Sequence, residues 1–159
     1  MSAAGAPPGG GDTVELTINA RPENLAIARL ALAGIAATAG ASREVIADLK
    51  LAVTEACTNA IQHAYRGCGA KDDIVIRYTV GEGTLSIEVE DQGSGFEPGA
   101  AARGAASSNG QGLGMGLMII RMITDELSVT SASSGSRVLF RKRFSPIRSI
   151  DEPALDPER

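Results

Sequence analysis

Glu55 and Asn59 lie four residues apart in a segment whose apolar residues recur with helical spacing. At 100° per residue the two side chains share one face of the predicted helix, beside its apolar stripe. An amide oxygen can bind Mg²⁺ and a carboxylate can accept a proton, so the pair has the groups that phosphate chemistry needs. Solvated helix edges also carry such pairs, and that alternative stays open for these two residues taken alone.

A second candidate segment runs from Glu90 to Gly95 and follows an alternating apolar stretch. Alternation with a period of two predicts a strand and places Asp91 on its apolar face. A core-facing carboxylate needs a donor, and the amino group of adenine would be suitable. Gly93 and Gly95 would let a ligand approach the backbone closely. A strand that ends in an Asx turn has the same residue types, so this alternative also stays open.

The third segment is a glycine run, Gly110-Gln-Gly112-Leu-Gly114-Met-Gly116, which leads directly into an apolar helix. Amide groups and the dipole at a helix N-terminus favour anions, so the run predicts phosphate binding. The Walker pattern is excluded because its Lys-Ser/Thr ending is absent. The Rossmann pattern fails because Met115 and Leu117 stand where its last glycine belongs. A flexible linker is the alternative, although linkers rarely lead straight into an apolar helix.

The elements that must position these segments predict an α+β domain. Strands are expected near residues 13–20, 74–80, 85–91, 127–131 and 137–144, and helices near 25–39, 42–65 and 113–126. Gly40 should end the first helix and Ser42 should cap the second. The element order predicts a two-layer α/β sandwich, a mixed, mostly antiparallel sheet with helices on one face.

Composition limits the class of protein to which this chain can belong. A chain of 159 residues that is 43% hydrophobic with a net charge of −4 predicts one globular domain without a nucleic-acid footprint. Two cysteines and one histidine are too few for a structural zinc site, and the apolar runs are too short for a membrane span. We expect a cytoplasmic protein with tails at 1–11 and 145–159, a nucleotide-binding domain at 12–144, and a lid at 92–111.

Two segments together resemble the anti-sigma-factor serine kinases. These are Leu49 to Tyr65, which contains Glu55 and Asn59, and Gly112 to Leu127, which contains the end of the glycine run. Those kinases belong to the GHKL superfamily, with the gyrase-type ATPases and the catalytic domains of histidine kinases. The resemblance extends from about Val14 to Phe144. The additional Gly116 and the long lid depart from the family pattern.

The resemblance implies ATP and Mg²⁺ as cofactors and a role for each site residue. Asn59 would hold Mg²⁺ between the ATP phosphates, and Glu55 would be the general base. Asp91 would bind the adenine amino group. The glycines would lie beneath the base or wrap the phosphates, namely Gly93 and Gly95 in the first role and Gly110, Gly112 and Gly114 in the second. His63, one turn beyond Asn59, would either contact a phosphate or pack as a helix-end histidine.

The resemblance also implies an activity and partners. The chain would be an anti-sigma factor that phosphorylates a serine or threonine of an anti-anti-sigma protein and sequesters a sigma factor of RNA polymerase, as a homodimer. The alternative is a nucleotide-gated protein-binding module without useful kinase turnover, which would not need Glu55 as a base. A histidine-kinase catalytic half would require dimerising helices with a phospho-accepting histidine, and the sequence shows none.

Overall fold

The computed structural model describes residues 10–64, 73–92, 114–132 and 135–147. These ranges form five strands and three helices in the predicted order, and a short 3-10 helix precedes the first helix. The elements are β1 (Asp12–Asn19), α1 (Leu25–Thr38), α2 (Arg43–Ala64), β2 (Asp73–Gly81), β3 (Thr84–Asp91), α3 (Gly114–Ile123), β4 (Glu126–Ala132) and β5 (Gly135–Arg143). The third helix ends three residues earlier than the sequence predicts, because β4 begins at Glu126.

The five strands form one sheet in the order β1-β2-β3-β5-β4. The α+β fold class is confirmed, but all four pairings are antiparallel, so the expectation of a mixed sheet is not met. Two helices between β1 and β2 return the chain to the sheet in the opposite direction. The helix α3 lies between β3 and β4 in the chain, and these two strands run parallel to each other. They are not neighbours, because β5 lies between them and pairs antiparallel with both.

The hydrophobic core lies between the sheet and the helices. Alternate residues of the three central strands are buried on the helix-covered face, namely Ile74, Ile76, Tyr78, Leu85, Ile87, Val89, Val138 and Phe140. The central helix α2 packs against α1, α3, β3 and β5. Its buried face consists largely of small residues, which allow close packing: Ala52, Val53, Ala56, Cys57 and Ala60. Burial raises the pKa of the Cys57 thiol to about 12, so this side chain stays neutral.

A hydrogen bond from Tyr78 crosses the core between the layers. The Tyr78 hydroxyl on β2 donates to the Ala28 carbonyl oxygen on α1 at 2.9 Å, and both residues are buried. Burial also raises the pKa of the Tyr78 phenol above its usual range. The bond satisfies the one polar group of the largest buried side chain and ties α1 to the sheet.

The opposite face of the sheet carries charged side chains. The Arg77 guanidinium on β2 lies 2.9 Å from a carboxylate oxygen of Glu15 and 2.7 Å from those of Glu88 and Glu90. The hydrogen bond from Arg77 holds the pKa of Glu90 below its usual range. This cluster joins β1, β2 and β3 on the face that the helices leave uncovered.

The ends of α1 and α2 follow the predicted capping residues. Gly40 has a φ of +82°, which favours glycine, and the Ala41 N–H returns to the Ala36 carbonyl at 3.0 Å. The Ser42 hydroxyl accepts a 3.2 Å hydrogen bond from the Val45 N–H. Ile147, within the predicted C-terminal tail, donates its N–H to the Gly40 carbonyl at 2.8 Å, so residues 145–147 reach the end of α1.

None of the helices in the described part of the chain has the length and apolar character needed to cross a bilayer.

Candidate nucleotide-binding site

The start of α3 lies directly against Glu55 and Asn59 of α2. A Cβ atom added to Gly116 would stand 2.9 Å from Oε2 of Glu55 and 3.4 Å from Nδ2 of Asn59. Both α2 side chains are half-buried at this crossing, at the edge of the buried face of α2. The structure therefore brings together the helix pair and the end of the glycine run, which are separate motifs in the sequence.

The Asn59 side chain has a buried polar atom that finds no partner in the part of the chain that the structure describes. Its Nδ2 is buried and makes no hydrogen bond to the described residues. A buried amide left unpaired costs about 1–3 kcal/mol, so this position favours a ligand. The oxygen and the nitrogen of the Asn59 amide exchange places when the group rotates about the Cβ–Cγ bond. The position can therefore donate to a phosphate oxygen or present an oxygen to Mg²⁺.

The donor set near Asn59 is compatible with a magnesium–nucleotide complex. No three His, Cys, Asp or Glu side chains cluster as a metal site within the described ranges. Mg²⁺ in nucleotide sites keeps several waters and takes other ligands from the phosphates, so one or two protein oxygens are sufficient. Asn59 fits such a role, and the neighbouring Glu55 supplies a carboxylate beside it.

Asp91 ends β3 on the helix-covered face, as the strand alternation predicts. It is only 4% exposed, and its Oδ2 accepts a short hydrogen bond from the hydroxyl of Ser136, the residue opposite it on β5. The sequence interpretation missed Ser136. Its signal was available, since Ser136 shares the parity of the core residues Val138 and Phe140 and follows a glycine.

Gly135 brings the β5 backbone close to Asp91. Its φ of +141° favours glycine, and an added Cβ would meet the Asp91 carbonyl oxygen at 2.0 Å. An open cleft at this end of the sheet is lined by residues of both faces, namely Glu90, Asp91, Thr130, Ser131, Gly135, Ser136 and Arg137. The buried carboxylate at the cleft can accept a hydrogen bond from a donor on a bound base.

The remaining predicted site residues divide into two groups. Gly114 is the first residue of α3, at the helix N-terminus where the sequence predicts a phosphate cradle. The other predicted glycines, Gly93, Gly95, Gly110 and Gly112, lie outside the described residues, as does most of the predicted lid. His63 belongs to α2, but its side chain also lies outside the described part of the structure.

Comparison with known families matches most of this chain. The family described as "Histidine kinase-like ATPase domain" matches residues 18–142. A Bacillus pumilus protein named "Serine-protein kinase RsbW" is 39% identical over 141 residues, which cover 82% of this chain and 85% of the relative. A Bacillus licheniformis protein of the same name is 38% identical over 147 residues, which cover 88% of this chain and 91% of the relative.

A solved structure has the same fold. The crystal structure of the RsbU and RsbW domains of a Mycobacterium tuberculosis protein superposes with a TM-score of 0.63 at 19% identity. The superposition covers 86% of this chain and 35% of that longer chain. The family match, the identity to full-length relatives and the fold agree. The chain therefore belongs to the histidine kinase-like ATPase domain family and, within it, to the anti-sigma serine-protein kinases of the RsbW type.

Proposed function

We propose that this chain is an ATP-dependent serine/threonine kinase that phosphorylates an anti-anti-sigma protein and sequesters a sigma factor. The observation that carries the proposal is the crossing of α2 and α3, where Gly116 places a helix N-terminal turn over Glu55 and Asn59. A base, an amide ligand and a phosphate-binding helix end are the parts that phosphoryl transfer to a hydroxyl requires. The relatives named serine-protein kinase support this activity class.

Glu55 is the proposed general base. Its carboxylate takes the proton of the attacking serine or threonine hydroxyl while the oxygen forms a bond to the γ-phosphorus and ADP leaves. General bases contribute about 10²–10⁴-fold to such steps. Asn59 would hold Mg²⁺, which neutralises charge on the phosphates when it is bound. The buried Nδ2 of Asn59, which makes no hydrogen bond within the described ranges, supports a ligand at this amide.

Asp91 is the proposed acceptor for the adenine amino group. The Ser136 hydroxyl orients its carboxylate, and Gly135 lets the β5 backbone approach. Gly93 and Gly95 would lie beneath the base, while Gly110, Gly112 and Gly114 would wrap the phosphates. His63 would contact a phosphate or pack at the helix end. In this proposal residues 12–144 form the kinase domain and residues 92–111 its lid.

Exposed methionines beside the site support a protein substrate. Met115, Met118 and Met122 are 68%, 62% and 80% exposed on α3, the helix that covers Glu55. Methionine is soft and adaptable, and exposed apolar clusters are typical of protein-binding surfaces. The proposed partners are the anti-anti-sigma substrate, the sigma factor and a second copy of this chain in the cytoplasm. Sedimentation equilibrium tests the homodimer.

Phosphotransfer from labelled ATP to a purified anti-anti-sigma protein tests the activity. Glu55→Ala should abolish transfer and leave ATP affinity by calorimetry largely intact. Glu44→Ala, which removes an exposed glutamate from the first turn of the same helix, is the matched control and should transfer normally. Removal of Mg²⁺ with EDTA should stop the reaction, and transfer should resume when Mg²⁺ is restored.

Normal transfer by Glu55→Ala would contradict the base assignment. ATP-dependent partner binding without transfer by the native chain would instead identify a nucleotide-gated binding module.

A further inference from the structure

Gly116 occupies a helical position at which a side chain would be expected. It is the third residue of α3, and an alanine there would favour the helix by about 0.5–1 kcal/mol over glycine. Its φ is not in the left-handed region, so backbone conformation does not require glycine. The neighbouring side chains give the reason for a missing Cβ. They are Glu55, with Oε2 at 2.9 Å, and Asn59, with Nδ2 at 3.4 Å and Oδ1 at 3.5 Å from the added atom.

In the described part of the chain, no polar group fixes the Glu55 carboxylate in place. Among the described residues it forms neither a hydrogen bond nor an ion pair. Asn59 next to it is likewise unpaired at Nδ2. Packing therefore contributes to the placement of both groups, and the α3 backbone at Gly116 lies directly against them.

We propose that Gly116 is a positioning residue, whose missing side chain lets α3 lie directly against Glu55 and Asn59 and so sets where the base and the amide stand. This inference rests on the proposed kinase function. A methyl group at this position would stand 2.9 Å from Oε2 of Glu55, so the flexible end of that side chain, which carries the carboxylate, would have to shift. Reacting groups that are displaced by about 1 Å can lose about 10²-fold in rate.

Gly116→Ala tests the inference, and Gly34→Ala is the matched control. Gly34 also lies inside a helix, but an added Cβ there meets nothing within 4 Å. Gly34→Ala should therefore transfer phosphate normally and melt about 2 °C higher, because alanine favours the helix. Gly116→Ala should lose about 10–100-fold in kcat and should not gain thermal stability. The KM for ATP should change less than kcat.

A conservative rescue separates positioning from general damage. In the double variant Glu55→Asp with Gly116→Ala, the shorter carboxylate leaves room for the methyl group. This double variant should transfer phosphate faster than Gly116→Ala alone, although Glu55→Asp by itself should be slower than the native chain. A purely structural defect at Gly116 would make the double variant the slowest of the three and would overturn the inference.

A stability cycle distinguishes failure of this inference from failure of the proposed function. In a Glu55→Ala background the colliding oxygen is gone, so Gly116→Ala should raise the melting temperature as Gly34→Ala does. In the native background it should not. This difference in melting temperature between the two backgrounds requires only the contact between position 116 and Glu55. It is therefore expected whether or not Glu55 is the base. Equal stabilisation in both backgrounds, with normal transfer by Gly116→Ala, would overturn the positioning role.

Discussion

The Ser136 hydroxyl of β5 donates a hydrogen bond to Oδ2 of Asp91, which lies opposite it on β3. Both residues are nearly buried, at 6% and 4% exposure. A hydroxyl has only one proton to donate, so Ser136 binds one of the two oxygens of the carboxylate. The two residues form a polar pair at the end of β3 and the start of β5, two strands whose other buried residues on this face are apolar.

Asp91→Asn should weaken ATP binding about 10–100-fold. The substitution replaces a charged acceptor with a neutral amide, and a hydrogen bond to a charged group contributes about 1.5–3 kcal/mol. Ser136→Ala should cost less, about fivefold, because it removes only the orienting donor. Isothermal titration calorimetry with ATP measures both effects.

The control for this pair is Ser86→Ala, which removes a hydroxyl from the other face of β3, where Ser86 accepts a hydrogen bond from Arg141. It should leave ATP affinity unchanged. Unaltered affinity in Asp91→Asn would refute the adenine role of Asp91.

Gly135→Ala should destabilise the fold where β5 lies against Asp91. Positive φ at a non-glycine residue costs about 1–3 kcal/mol, and the new Cβ would also collide with the Asp91 carbonyl oxygen, 2.0 Å away. Urea unfolding should show this loss, and ATP affinity should fall as well because the collision displaces Asp91.

Gly81→Ala is the matched control, since its added Cβ would meet no atom closer than 3.8 Å. Its unfolding free energy should stay within about 0.5 kcal/mol of the native value. Equal stability of the two variants would show that the β5 backbone does not need glycine at position 135.

Arg77→Ala should reduce the acid dependence of stability. The hydrogen bond from Arg77 lowers the pKa of Glu90 from its ordinary value near 4.5. A lowered carboxylate pKa gives stability that is fully present above the ordinary value and is lost as pH falls through the folded-state pKa. The native unfolding free energy should therefore fall steeply below about pH 4.5 and less steeply in Arg77→Ala. At neutral pH the variant should lose about 1 kcal/mol.

Urea titrations between about pH 7 and pH 3 measure this slope. Arg29→Ala removes an exposed arginine of α1 that forms no ion pair with the described residues, so it should keep the native pH dependence. A native slope in Arg77→Ala would mean that Arg137, the other cation near Glu90, accounts for the effect.

Local patterns were sufficient for much of this fold. Alternation placed Asp91 on the buried face of β3, and helical phase placed Glu55 and Asn59 on one side of α2. Pairing between distant strands was not accessible in the same way. The insertion of β5 between β3 and β4 depends on packing across the whole sheet, and for that reason the expectation of a mixed sheet failed.

Contacts between motifs were also beyond local patterns. The sequence interpretation treated Gly116 as an additional glycine of the run that departs from the family pattern, whereas the structure places it against Glu55. That contact depends on how α3 crosses α2, and the spacing of apolar residues in the sequence does not predict this crossing. Ser136 was missed for a related reason, because its partner lies on another strand 45 residues away in the chain.

The connection at residues 92–113 joins the end of β3 to the start of α3, and the way its two ends are held has a consequence for changes in its length. The end of β3 is held by its pairing with β2 and β5, and the start of α3 is held by its packing on α2. The free-energy cost of closing a loop rises only with the logarithm of the loop length, by about 0.6 kcal/mol for each doubling of that length. Insertions between these two ends should therefore cost little folding stability.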